Sequence, residues 1–114
     1  MRIVDLNTFL ALPAGTVFAK YTPCAFEGIS IKGDNVGDND FFSQEIAHAV
    51  AVDINSSFFD VIDQAERGAS IPMDFNQESR DGLFEPSQLF AVWERTDVEG
   101  LIARLQAGLN ESST

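Results

Sequence analysis

The chain has 114 residues, close to the commonest size of one domain and too few for a second core. Apolar residues make up 45% of it, which excludes disorder by composition. A formal net charge of −11 repels nucleic acid and anionic membranes at long range and favours a basic protein surface or a cation.

The first element is a short helix that Asp5 or Asn7 can cap, with Leu6, Phe9 and Leu10 at helical spacing; Pro13 and Gly15 end it. Residues 16–21 are rich in strand formers and 26–32 alternate, so the two runs predict an antiparallel pair. Gly33-Asp34-Asn35-Val36-Gly37-Asp38-Asn39-Asp40 has the composition of a loop. Residues 42–54 carry Ile46, Val50, Val52 and Ile54 on alternate positions, which predicts a strand; the alanines between them leave a helix from Ser43 as the other reading.

Ser56 or Ser57 caps a second helix with Phe58, Val61, Ile62 and Ala65 on its apolar side, and Gly68 suits the position past its end. A short strand is expected around 73–75 and a turn at Arg80-Asp81-Gly82. Residues 89–94 predict a strand. Thr96-Asp97-Val98-Glu99 has the form of a capping box for a last helix with Val98, Leu101, Ile102, Leu105 and Leu109 on one stripe. The expectation is one α+β domain over 1–110, a mostly antiparallel sheet of four to five strands with about three helices, and a frayed polar tail at 111–114.

The single cysteine, Cys24, excludes an internal disulfide and fits a reducing compartment. No signal-like stretch opens the chain, and no run approaches the roughly 20 apolar residues that cross a bilayer, so a cytoplasmic protein without membrane contact is expected. Charge is uneven. Residues 34–79 hold ten acids against Arg67 alone.

Motifs for catalysis are absent from the sequence: there is no P-loop, dinucleotide fingerprint or nucleophile elbow. His48, the only histidine, lies in the alternating run and reads as a half-buried strand residue; nothing in its spacing to Cys24 makes a catalytic pair. One Cys and one His do not build a structural zinc site. Asp34, Asp38, Asp40 and Glu45 partly mimic a calcium loop, but Val36 stands at a ligand position and Asn39 where glycine is needed. The expectation is no metal, no cofactor and no enzyme activity.

The candidate partner-binding surface is acidic: Asp34, Asp38 and Asp40 in the loop, and Asp60, Asp63 and Glu66 repeating along the second helix with no lysine to relieve them. The paired phenylalanines Phe41-Phe42 and Phe58-Phe59, and a 89–94 strand apolar on both faces, are more than three helices cover. Phe41, Phe59, Phe90 and Val92 are therefore apolar interface candidates, and a homodimer or a docking patch is expected.

The runs Leu12-Pro13-Ala14-Gly15-Thr16-Val17-Phe18, Lys20-Tyr21-Thr22-Pro23, Arg80-Asp81-Gly82-Leu83-Phe84 and Phe90-Ala91-Val92-Trp93-Glu94 resemble the small accessory proteins of tailed bacteriophages. That resemblance implies action in a bacterial host cytoplasm, often as an inhibitor of a host or defence factor, and carries over no site residue. The sequence thus points to a non-enzymatic acidic protein with a basic protein partner. The alternatives are a nucleotide-type ligand binder with a pocket at an oligomer interface, using Arg80, Arg95 and Lys32, and a virion assembly protein.

Overall fold

The computed structural model of the chain describes residues 1–53, 55–82 and 85–112. Its elements run β1 (Arg2–Val4), α1 (Leu6–Leu10), β2 (Val17–Thr22), β3 (Ala25–Phe26), β4 (Ser30–Val36), β5 (Asp40–Glu45), α2 (Phe58–Glu66), β6 (Ser79–Arg80), β7 (Leu89–Trp93) and α3 (Arg95–Ser112). The strands form one sheet in the order β1-β7-β2-β4-β5-β6, with β3 paired on β2, and every pairing is antiparallel. The class is α+β with three helices, as the sequence predicts. Among the described residues the sheet has seven strands rather than four or five, because β1, β3 and β6 are runs of two or three residues too short to show a period of two.

Asp5 caps α1 by accepting the Thr8 N–H at 2.8 Å. This one turn and a half of helix lays Phe9 on the sheet. Phe9 is fully buried, stacked on Phe90 with ring centroids 4.0 Å apart, and meets Phe18 and Phe41 at 4.7 and 4.9 Å. Val4, Leu6 and Val92 complete the core, and Leu10 and Leu12 pack against it. The register explains the shared face: Phe18 pairs with Val92, and Val4 pairs with Phe90. The other face carries Ile3, Val17, Tyr21, Leu89 and Trp93 around the fully buried Ala19 and Ala91. Of the three helices, α1 is the one that lies firmly against the sheet.

Several boundaries differ from the sequence reading. Residues 26–32 are not one strand: β3 ends at Phe26 and β4 starts at Ser30. The expected loop from Gly33 is strand through Val36, and the turn is only Gly37-Asp38-Asn39, with Gly37 at φ +62°. A bulge between Lys32 and Asn35 disguises the alternation. Gly33 sits in it, where an added Cβ would lie 2.9 Å from the Glu78 carboxylate and 3.0 Å from Phe42 Cβ.

The expected strand 42–54 starts earlier, at Asp40, and stops at Glu45; a helix from Ser43 is excluded, and Ile54 lies outside the described residues. Past Glu45 the chain leaves the sheet and returns at Ser79. The neck of this 46–78 excursion is tied by a bridge between Val50 and Met73, with Asp74 N–H donating to Ala49 O at 2.7 Å and Ala51 N–H to Pro72 O at 3.0 Å. That bridge is all that forms of the strand expected at 73–75. Helix α2 is the body of the excursion, capped by Ser57, whose hydroxyl accepts the Asp60 N–H at 3.2 Å; Gly68 follows at φ +94°.

The cap of α3 is shifted from the expected box. Asp97 accepts the Glu94 N–H at 2.9 Å and also holds the amino terminus of Met1 at 2.6 Å. The helix runs through Ser112, so Glu111 and Ser112 of the expected frayed tail are helical, and 113–114 lie outside the described residues. No described helix is long and apolar enough to cross a membrane.

Candidate functional site

The acidic residues divide into those the fold consumes and those it displays. Asp40 is consumed. It is only 1% exposed and accepts the Phe41 and Gly82 N–H groups at 2.9 Å each, while its other oxygen pairs with Arg80 Nε. Burial raises its pKa, but the Gly82, Arg80 and Phe41 hydrogen bonds outweigh that and hold it below the ordinary carboxylate value. Lys20 pairs with Asp81 next door, so the Arg80-Asp81-Gly82 turn is pinned from two strands. Asp40 therefore leaves the surface set proposed from sequence, because the chain spends it on a turn some forty residues away. Leu83 and Phe84 of that turn region lie outside the described residues.

Asp34, Asp38, Asp60, Asp63 and Glu66 are exposed. Asp34 and Asp38 sit on the β4–β5 hairpin. Asp60, Asp63 and Glu66 line one side of α2, where Asp63 meets Arg67 at 3.2 Å. Glu78, which the sequence reading passed over, lies against Gly33, beside Asp34. It also shares a groove of about 260 Å³ with Glu45, His48 and Phe58 at the start of α2. The acids of this groove are Glu45 and Glu78.

Few cations answer them. Lys20, Arg67, Arg80, Arg95 and Arg104 each hold an acid already. Lys32 is 3% exposed. Its ammonium donates to Asn35 Oδ1 at 2.7 Å and lies 5.7 Å from the Phe9 ring centroid. Desolvation lowers its pKa, and the Asp34 charge works in the opposite direction. Of the three cations considered for an anionic ligand, Arg80 and Arg95 are engaged with acids and Lys32 is buried.

The apolar candidates divide the same way. Phe41, Phe90 and Val92 belong to the core, which corrects their reading as interface residues; the sequence does not reveal that α1 delivers Phe9 to cover them. Phe59 is 82% exposed, and Phe58, Met73 and Phe75 on the same excursion are exposed too. The surface of 46–78 therefore combines uncovered aromatic rings with six acids against Arg67.

A second concavity of about 210 Å³ opens on the core face of the sheet, lined by Lys20, Glu27, Ser30, Ser43, Glu45 and Asp81 among others. Its polar groups are largely engaged: Ser30 Oγ donates to Glu45 at 3.2 Å, and the Ala47 and His48 N–H groups donate to the same carboxylate at 3.2 and 3.0 Å. Three carboxylates against one lysine disfavour a nucleotide there.

His48 lies past β5 in no strand, exposed and 3.4 Å from Glu45, which corrects the half-buried reading. Cys24 is at the β2–β3 turn with φ +65°, its N–H on the Tyr21 hydroxyl at 3.0 Å. No described contact joins the two. Among the described residues no three His, Cys, Asp or Glu side chains gather in a way that could hold a metal ion. The chain matches no protein-family model, no curated protein and no solved structure.

Proposed function

We propose that the protein is a non-enzymatic binding module whose 46–78 excursion docks a basic protein surface. The observation that carries this reading is Phe59, 82% exposed at the start of α2 and followed on the same helix by Asp60, Asp63 and Glu66. Exposing an aromatic ring of this size to water is unfavourable, and a docked partner would remove that cost. The carboxylates steer a cationic surface toward it and fix its orientation. The rings supply affinity; the acids supply rate and selectivity.

The resemblance to phage accessory proteins directs the search to bacterial host proteins with basic surfaces, nucleic-acid-binding proteins first. Inhibition follows where the acids occupy the positions of phosphates. The test is capture from bacterial lysate at about 50 and about 500 mM salt, across which the screening length falls severalfold. A partner retained at low salt is expected to be lost at high salt, and to be lost from Phe59→Ser at both. Retention by Asp60→Lys/Asp63→Lys/Glu66→Lys at low salt removes the electrostatic part of the reading.

A further inference from the structure

Helix α3 is 18 residues long, which is about 27 Å at the helical rise. Val98, Ile102, Leu105 and Leu109 follow one another at spacings of four, three and four, the spacing of a helix-pairing seam. No α3 residue is buried, and Ile102, Leu105 and Leu109 are 61%, 65% and 64% exposed. The helix also contains Gly100 and Gly108, both of which weaken an isolated helix. It carries an uncovered apolar stripe and two glycines.

The size of the missing contact can be bounded. The chain exposes 7805 Å², whereas a closed monomer of 12.5 kDa exposes about 6,200 Å². Its radius of gyration is 16.0 Å, against about 13 Å for a closed chain of this length. The excess is roughly 1,600 Å² per chain. That excess, to which the α3 stripe contributes, is larger than the roughly 800 Å² that each partner contributes to a standard stable interface.

Charge selects the occupant. The five charged side chains of α3 are already balanced: Arg95 on Glu99, Arg104 on Glu111, and Asp97 on the amino terminus. A basic partner finds each acid of α3 already paired. Two copies of α3, in contrast, bring no unpaired like charges of the helix together at the seam.

Geometry selects the direction. A groove of about 450 Å³ lies where α3 leaves the sheet, lined by Leu12, Trp93, Val98 and Ile102 together with the charged Arg2 and Glu94. The exposed leucines are at the other end of the same stripe. Only an antiparallel pair brings the C-terminal half of one helix over the groove of the other, and it also opposes the helix dipoles. We propose that α3 pairs antiparallel with α3 of a second copy of this chain, so that Leu105 and Leu109 of each copy cover the Trp93 groove of the other.

Sedimentation equilibrium of the full chain tests the pairing, with the emission of Trp93, the only tryptophan, as a local probe. The expected result is a mass twice 12.5 kDa and a blue shift of Trp93 as concentration rises. Leu105→Glu/Leu109→Glu alters exposed positions only, so it is expected to keep the circular dichroism of the folded sheet, to sediment as a monomer and to lose the shift. In a Cys24→Ser background, an equal mixture of Val98→Cys and Leu109→Cys chains is expected to oxidise mainly to the mixed disulfide. A monomer at all concentrations overturns the proposal. So does a dimer that the glutamates leave intact, or one whose disulfides join like positions.

Discussion

The phenylalanines divide the molecule. Under α1, Phe9, Phe18, Phe41 and Phe90 close on one another with centroid separations between 4.0 and 6.0 Å, and none is more than 3% exposed. On the 46–78 excursion, Phe58, Phe59 and Phe75 are exposed, with Phe58 and Phe59 touching only edge to face at 5.9 Å. The same residue type makes the core in one region and a surface in the other. The difference lies in what folds over it: a five-residue helix supplies Phe9 to the sheet, whereas nothing described covers the α2 rings. Substitutions are therefore expected to separate the two regions, with stability residing in the first and recognition in the second.

The largest expected effect is at Phe9. Removing the ring that stacks on Phe90 leaves a cavity among three others, and Phe9→Ala is expected to cost about 3–5 kcal/mol in denaturant titrations. Phe59→Ala is expected to stay within about 0.5 kcal/mol of the parent, as an exposed side chain should. Equal losses at the two positions would erase the contrast.

Acid sharpens it next. The pKa of Asp40 is lowered in the folded chain, so its contribution to stability is complete above the unfolded value near 3.8 and is lost as pH falls through the lower folded value. Asp5, Glu85 and Asp97 shift in the same direction through hydrogen bonds to Thr8, to Ser87, and to the amino terminus and Glu94. Thermal melts between pH 7 and about pH 3 are expected to show stability falling below roughly pH 4. Asp40→Asn should melt lower at pH 7 and show a shallower acid slope. An unchanged slope would mean that the Arg80-Asp81-Gly82 strap does not depend on the charge.

A smaller effect is expected at Ser57. Its hydroxyl caps α2, and Ser57→Ala removes about 1 kcal/mol of helix stability. Because α2 lies outside the Phe9 core, the loss is expected to appear as faster hydrogen exchange at 58–66, with β2 and β7 unaffected. The smallest effect is at Cys24, which holds φ +65° in a two-residue turn after Pro23. Cys24→Gly relieves that conformation at the entropic cost of a glycine, and a gain below about 1 kcal/mol in Tm-derived stability is expected.

How far the sequence could be read follows from the same division. The caps at Asp5 and Ser57, the strands β2 and β7, and the helices were legible because each rests on neighbours within four residues. Three-residue β1 and two-residue β6 were not, since their partners are distant and their length shows no pattern. The bulge at Lys32–Asn35 hid the second half of β4 by breaking the alternation. Asp40 looked like its exposed neighbours Asp34 and Asp38 because nothing local announces Arg80. Glu78 was passed over because its closeness to Gly33 spans the whole excursion. The exposed apolar stripe of α3 was visible as a stripe, but the lack of a helix or sheet to cover it was not.

The most direct test of the recognition surface is a titration of the isotopically labelled protein with its captured partner, followed by amide chemical shifts. The account predicts shifts concentrated in residues 57–78, weakening as salt rises, with β2 and β7 unmoved. Shifts confined instead to the Lys20, Ser30, Ser43 and Asp81 cleft, and indifferent to salt, would contradict it.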